Sequence, residues 1–309
     1  MARQLMARGA TVTIAARDAA ELADAESILS GTGPADRVRG AVCDVRDQAA
    51  VRDLFAEVAA RHGSVDLVIA NAGVIQVAPW ESVGTQGFRD AMSTIFEGAL
   101  HTAAEALPHL RRSRAGGRLA LIGSVGGLVA VPHLLPYSCA KSAVATLAEG
   151  LRAEETARGV TVTAVHPGLM RTGSPLHARF AGAADRQFAW FSALAGAPLV
   201  SMDAERAAER IVSGIERRRP RIVLTPAARL AAAAHGLAPA ATTRLLSVVA
   251  RALPRPDGGR SEAVEGHTLD TPPAGPASRL RRTLSALDDR AADRFNQRGH
   301  DRPSVAGPG

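Results

Sequence analysis

Residues 118–141 read Arg118-Leu-Ala-Leu-Ile-Gly-Ser124-Val-Gly-Gly-Leu-Val-Ala-Val-Pro-His-Leu-Leu-Pro-Tyr137-Ser-Cys-Ala-Lys141. The apolar run Arg118–Gly123, closed by a glycine and a serine, reads as a buried strand that ends where the chain must turn. Beyond it, Tyr137–Ala157 carries helical periodicity, and Tyr137 and Lys141, four residues apart, share one face of that helix. The chain has one tyrosine and, beside its arginines, one lysine. A composition so poor in both places its single copies side by side. A phenol with a pKa near 10 is a weak acid–base catalyst at neutral pH, and a neighbouring ammonium lowers that pKa. A serine at the carboxyl end of a strand can donate to a substrate carbonyl and steady the charge that develops there. Taken singly, each feature has a bland alternative: a surface Tyr/Lys pair and a turn serine.

Outward from this stretch, apolar runs alternate with amphipathic ones. The strand candidates are Ala10–Ala16, Arg39–Cys43, Leu67–Asn71, Val160–Val165 and Arg221–Leu224. Helical stretches lie between them at Ala19–Leu29, Gln48–His62, Phe88–Leu110 and Ala204–Arg217. This alternation predicts a doubly wound parallel α/β sheet. Leu224–Leu253 is rich in Ala and Leu and reads as one or two amphipathic helices. Residues 254–278 are dense in Pro, Gly and charge and read as a linker or disordered. A short helix is expected at Arg279–Phe295. The chain thus divides into a domain over 1–225 and a C-terminal extension over 226–309, partly helical and partly disordered.

Apolar residues make up 46% of the 309, so a full core can be buried. The two cysteines, Cys43 and Cys139, argue against a disulfide framework and against a thiolate zinc site, and fit a cytoplasmic protein. His101, His109, His133 and His166 make no metal-ligand spacing with acids, so no metal is expected. The N-terminus shows no secretory h-region, and no run is long and apolar enough to span a bilayer. The net charge of +7 is uneven. Residues 1–216 hold 21 basic and 22 acidic side chains, whereas 217–309 hold 16 arginines and 8 acids. Aromatics are only 3%, which fits nucleic-acid binding poorly. The basic extension reads either as a solvated tail or as a weak contact with an anionic membrane surface.

Asn71-Ala72-Gly73 after a strand, Ser124, Tyr137-x-x-x-Lys141 and His166-Pro167-Gly168-x-x-x-Thr172 follow one another over roughly residues 1–225. In this order and spacing the chain resembles the classical short-chain dehydrogenases/reductases. The resemblance implies a seven-stranded Rossmann sheet, a nicotinamide cofactor and hydride transfer between a carbonyl and an alcohol. It implies Tyr137 as general acid/base, Lys141 as the group that lowers its pKa and holds the nicotinamide ribose, and Ser124 as the group that orients the substrate oxygen. Asn71, Ala72 and Gly73 would shape the cofactor cleft. Asp44, with Val45, matches the adenine contact, a simple cap or turn being the alternative. Pro167, Gly168 and Thr172 would line the nicotinamide. Homo-oligomers are usual among the proteins it resembles.

Nucleotide choice has a physical reading. An acid at the end of the second Rossmann strand accepts from the ribose 2′-hydroxyl and repels a 2′-phosphate. Here Ala16 stands at that place and Arg17 follows, so NADP is expected over NAD. The aromatic cluster Phe180, Phe188, Trp190 and Phe191, in the loop Gly173–Val200, reads either as an apolar lid over an apolar substrate or as a packing core.

Two departures stand out. Met1 falls inside what should be the first helix, so the numbered chain lacks the first strand and the glycine loop that binds pyrophosphate. The expectation is an upstream start or a fragment. The rival is a non-catalytic Rossmann-like binding or scaffold protein that has lost its phosphate loop. The second departure is Ile95, which stands where an asparagine usually supports the proton relay.

Overall fold

The structure, a computed structural model, describes residues 1–197, 200–255, 262–270, 287–295 and 297. Six parallel strands lie at its centre: β1 (Val12–Ala16), β2 (Val38–Val42), β3 (Leu67–Ala70), β4 (Arg118–Ile122), β5 (Thr161–His166) and β6 (Arg221–Val223). They pair as β2–β1 and, separately, as β3–β4–β5–β6. The helices are α1 (Ala2–Met6), α2 (Ala19–Ser30), α3 (Gln48–His62), α4 (Trp80–Ala91), α5 (Gly98–Leu110), α6 (Leu135–Glu155), α7 (Ser174–His177), α8 (Ala184–Gly196) and α9 (Ala204–Glu216). Short polar residues start several of them. Asp18, Asp47 and Asp203 each accept two backbone N–H groups at the first turns of α2, α3 and α9.

Alternation along β4 builds both layers. Leu119 and Leu121 face a core made with α3, α5 and α6. Ala120 and Ile122 face the other, made with α9 and Leu224. The register sets Leu121 beside Ala70 and Ile122 beside Val165, so β3, β4 and β5 end nearly level. Their carboxyl ends therefore bring Asn71, Ser124 and Pro167 to one edge of the sheet.

β1 and β3 do not pair. Their facing edges line a common cavity of about 1430 Å³, with no strand between them among the described residues. The two halves are joined instead by helices. Val51 and Phe55 of α3 enter the core shared with α5 and α6. On the opposite layer Arg3 pairs with Glu205 at 3.0 Å, and Arg8 pairs with Glu216.

Several boundaries differ from the sequence reading. The stretch read as one helix over Phe88–Leu110 is three segments. α4 begins at Trp80 and passes through Gly84 at φ 62°, a conformation that glycine supplies at little cost. A π turn, Met92–Glu97, then leads into α5. Leu224–Leu253 forms two helices, α10 (Pro226–Leu237) and α11 (Pro239–Ala250), with Pro239 at the first turn of the second. Of the expected linker 254–278, residues 256–261 and 271–278 lie outside the described residues. Val264–Glu265 is a strand that pairs with Arg179–Phe180 and is followed by the turn of helix Gly266–Leu269. Of the helix expected at Arg279–Phe295, residues 287–294 are helical, and 279–286 lie outside the described residues.

Candidate active site

Ser124 follows the last residues of β4 and starts the turn Val125–Gly127. Its Oγ accepts the Gly126 N–H at 3.0 Å, which leaves its own hydroxyl proton to be donated elsewhere. The turn sits hard against α6. A Cβ at Gly127 would lie 2.5 Å from the Lys141 backbone, so only glycine allows the approach. This close packing brings Ser124 to Tyr137. A Cβ at Gly126 would lie 3.4 Å from the Tyr137 ring and 3.5 Å from Ser124 Oγ. Burial pushes the Tyr137 phenol above its ordinary pKa, and the hydrogen bond with Ser124 pulls it back down. The sequence reading expects Lys141 to depress this pKa, but here desolvation is the larger influence.

Lys141 is 5% exposed. Its Nζ lies 5.8 Å from the centre of the Tyr137 ring and donates to the Ile122 carbonyl at 2.6 Å. Burial lowers its pKa to about 8. Across from it, a Cβ on Gly73 would lie 3.7 Å from Nζ and 3.8 Å from Ile95. Ile95 itself is 1% exposed, on the π turn. The place expected to hold a relay amide is therefore a buried apolar side chain beside Lys141. His166, at the end of β5, is fully buried, and burial and Arg221 lower its pKa to about 4.

Asn71, Ala72 and Gly73 line the large cavity, together with Arg17, Asp44, Val45, Ile95 and Ile122. Arg17 is exposed on its rim and makes no ion pair with another described residue. The Asp44 carboxylate accepts the Arg46 backbone N–H at 3.0 Å, an Asx turn, and pairs with the Arg46 guanidinium at 2.5 Å. The Arg46 bond holds its pKa at about 2. The carboxylate thus makes the turn that the plainer alternative expects of it. Val45 packs on Gly98 of α5, and its carbonyl bonds His101 Nδ1 at 2.9 Å.

Pro167, Gly168 and Thr172 follow β5. The Pro167 carbonyl accepts the Val125 N–H at 2.8 Å, tying this loop to the Ser124 turn. Gly168 abuts Thr225, whose Oγ1 would lie 2.4 Å from an added Cβ. Thr172 Oγ1 accepts the Ser174 N–H at 3.2 Å. These three do not line the large cavity, which reaches this side through Ile122, Ser174 and Leu176. Of the aromatics, Phe180, Phe188 and Phe191 are buried and meet edge to face at 5.4 and 6.1 Å. They form a packing core, with Tyr137 against its edge, rather than a free lid.

The sequence reading misses Asp288. This buried carboxylate accepts the backbone N–H groups of Thr172 and Gly173 at 3.1 and 3.2 Å. Ala292 seats against Gly173, and Arg294 pairs with Glu205. Asp288 lies 116 residues from Thr172, in an alanine- and aspartate-rich stretch that carries no local signal of a tertiary contact.

A nicotinamide dinucleotide can be tested against these residues. The cavity is lined by Arg17 and Asp44 as well as by Gly73 and Ile122, and Lys141 stands close behind Gly73. It offers the exposed Arg17 guanidinium, the backbone of Asn71–Gly73 and apolar walls, a lining that suits a nucleoside. A glycine-rich amide cradle for pyrophosphate is not found among the described lining residues.

The family model for short chain dehydrogenase matches residues 1–178, and the chain belongs to that family. It is 31% identical over 165 residues to the 3-oxoacyl-[acyl-carrier-protein] reductase MabA of Mycobacterium avium, covering 53% of this chain and 64% of that protein. It is 33% identical over 167 residues to the L-fucose dehydrogenase of Bos taurus, covering 54% of this chain and 59% of that one. The chain thus spans about three fifths of these relatives' length. A solved short-chain dehydrogenase from Streptomyces avermitilis is 28% identical, with a TM-score of 0.65, over 81% of this chain and 93% of that one. The architecture is accordingly the Rossmann-like α/β fold of that family.

Proposed function

We propose that the protein is an oxidoreductase that moves a hydride between NADP(H) and a carbonyl or alcohol carbon of a small, apolar molecule. The observation that carries this reading is the meeting of the chain's single tyrosine and single lysine with Ser124 at the carboxyl end of β4. Two of the relatives are named as a reductase of a 3-oxoacyl group and a dehydrogenase of a sugar.

The nicotinamide supplies the hydride when bound. The chain's residues do the rest. Ser124, its Oγ already accepting from Gly126, donates to the substrate oxygen. Tyr137, a phenol that is protonated at neutral pH, gives its proton to that oxygen as charge develops. Lys141 holds the ribose hydroxyls beside Gly73, its ammonium oriented by the Ile122 carbonyl. Val45, on the cavity wall, would border the adenine, while Pro167, Gly168 and Thr172, which do not line the cavity, would support the nicotinamide end through the Pro167 bond to the Ser124 turn. Arg17 meets the 2′-phosphate, which favours NADP over NAD. In the oxidising direction Tyr137 must first lose its proton, so that rate rises toward alkaline pH.

A second reading, a non-catalytic Rossmann-like binding or scaffold protein, draws on the lining without a glycine cradle and on Ile95. Turnover separates the two. NADPH oxidation with a panel of apolar ketones is expected for the parent chain and is lost in Tyr137→Phe. No turnover with any ketone, or equal turnover in Tyr137→Phe, contradicts the proposal.

A further inference from the structure

α10 is fastened at its base. Thr225 Oγ1 accepts the Ala228 N–H at 3.1 Å, both residues are buried, and the helix packs on the Val125–Gly127 turn that carries Ser124. From there the hairpin leaves the body. Leu230 is 73% exposed, and Leu237, at the turn, is 88% exposed. α11 buries no residue at all. Its half-buried Thr242 meets His235 of α10 at 2.7 Å, so this side faces the partner helix. Leu245 and Val248 lie one turn apart on another side, and both are exposed. Arg244 and Arg251, seven residues apart, run beside that stripe. Between Glu216 and Asp257 the chain has eight arginines and no acid.

We propose that the α10–α11 hairpin docks on an anionic lipid surface. Leucine and valine enter the boundary between headgroups and acyl chains, while the arginines reach back to the phosphates. The charge pattern selects this occupant. In a two-fold contact with a second copy the same patch meets itself, which sets Arg244 and Arg251 against their own counterparts with no acid to compensate. The stripe also lacks the aromatic anchors on which protein interfaces concentrate their energy. Among the described residues no helix is long and apolar enough to cross a membrane, so this contact lies on the surface. It does not depend on the hydride reaction, since binding is read without turnover.

The test is flotation of the full chain with phosphatidylcholine vesicles, with or without phosphatidylglycerol, in low and high salt. Binding to the anionic vesicles alone, lost in high salt, is expected. Arg244→Gln with Arg251→Gln should weaken it about 30-fold, roughly fivefold per guanidinium, while the lysine replacements retain it. Leu237→Gln with Leu245→Gln and Val248→Gln should abolish it with an unchanged melting temperature, because these side chains are exposed. No binding to anionic vesicles in low salt overturns the proposal. So does undiminished binding by the glutamine variants, or an oligomer of the parent chain that the leucine variants disperse.

Discussion

On one side of the cavity four strands form a continuous ladder, whose central strand β4 has Leu119, Ala120 and Leu121 fully buried. On the other side β1 pairs, among the described residues, only with β2, and most of its residues are half-buried. Ser124, Tyr137 and Lys141 belong to the first side, and Arg17, Asp44 and Val45 to the second. The difference teaches where rigidity is supplied. The groups that would move protons are set by backbone ladders and by contacts as tight as Gly127 on α6. The groups that would grip the nucleotide are carried by a two-stranded unit anchored mainly through α1 and α3. Chemistry should therefore respond steeply to substitution on the first side, and affinity more gently on the second.

The largest effect expected is on Tyr137. Its replacement by phenylalanine should lower turnover by about 10²–10⁴-fold, the usual range of general acid catalysis, while NADPH affinity stays close to that of the parent. Steady-state rates with a fluorescence titration check both halves of this statement. A large loss of affinity with little loss of rate would reverse the proposed division of labour.

Next comes His166. Its folded-state pKa of about 4 lies below the ordinary value of 6.5. A base whose pKa is depressed on folding contributes stability fully above pH 6.5, and loses it as pH falls toward 4, where the unfolded chain binds a proton that the folded one refuses. The loss is on the order of 3 kcal/mol. Urea denaturation at pH 7.5 and 4.5 should show it, and His166→Asn should flatten the difference. An equal slope in the variant would assign acid sensitivity to other groups.

Asp288 should give a smaller effect. Its replacement by alanine leaves the Thr172 and Gly173 amides without their acceptor and loosens the loop after β5. The KM for substrate should rise roughly tenfold with kcat within about threefold, at one or two kcal/mol for the lost acceptor. Asp288→Asn, which keeps a carbonyl oxygen, should recover part of it. Unchanged KM in Asp288→Ala would remove the C-terminal segment from the site. Smallest is Arg17→Ala, expected to weaken NADPH about five- to tenfold, as one charge-assisted contact does, and to leave NADH unchanged. An equal effect on both nucleotides would end the argument for NADP.

Much of this was legible along the chain because it rests on local chemistry. A strand ending at Ser124, a helix with Tyr137 and Lys141 on one face, and aspartates that start helices all act over a few residues. Other features depend on contacts that no local pattern records. The π turn that buries Ile95 sits inside a stretch whose periodicity reads as plain helix. The phenol of Tyr137 is governed by its enclosure more than by Lys141, and enclosure is a property of the packed core. Asp288 reaches Thr172 across 116 residues. The aromatic cluster was readable as lid or core, and only packing decided it.

The most direct test of the central claim, that both sides of the cavity grip one dinucleotide, is amide hydrogen exchange of the full chain with and without NADPH. Opening at each segment sets its exchange, so bound ligand slows it where it makes contact. The account predicts slowed exchange at 15–18 and 43–46 together with 71–74 and 122–126, at one common nucleotide concentration. Slowing on one side only, or on neither, would contradict it.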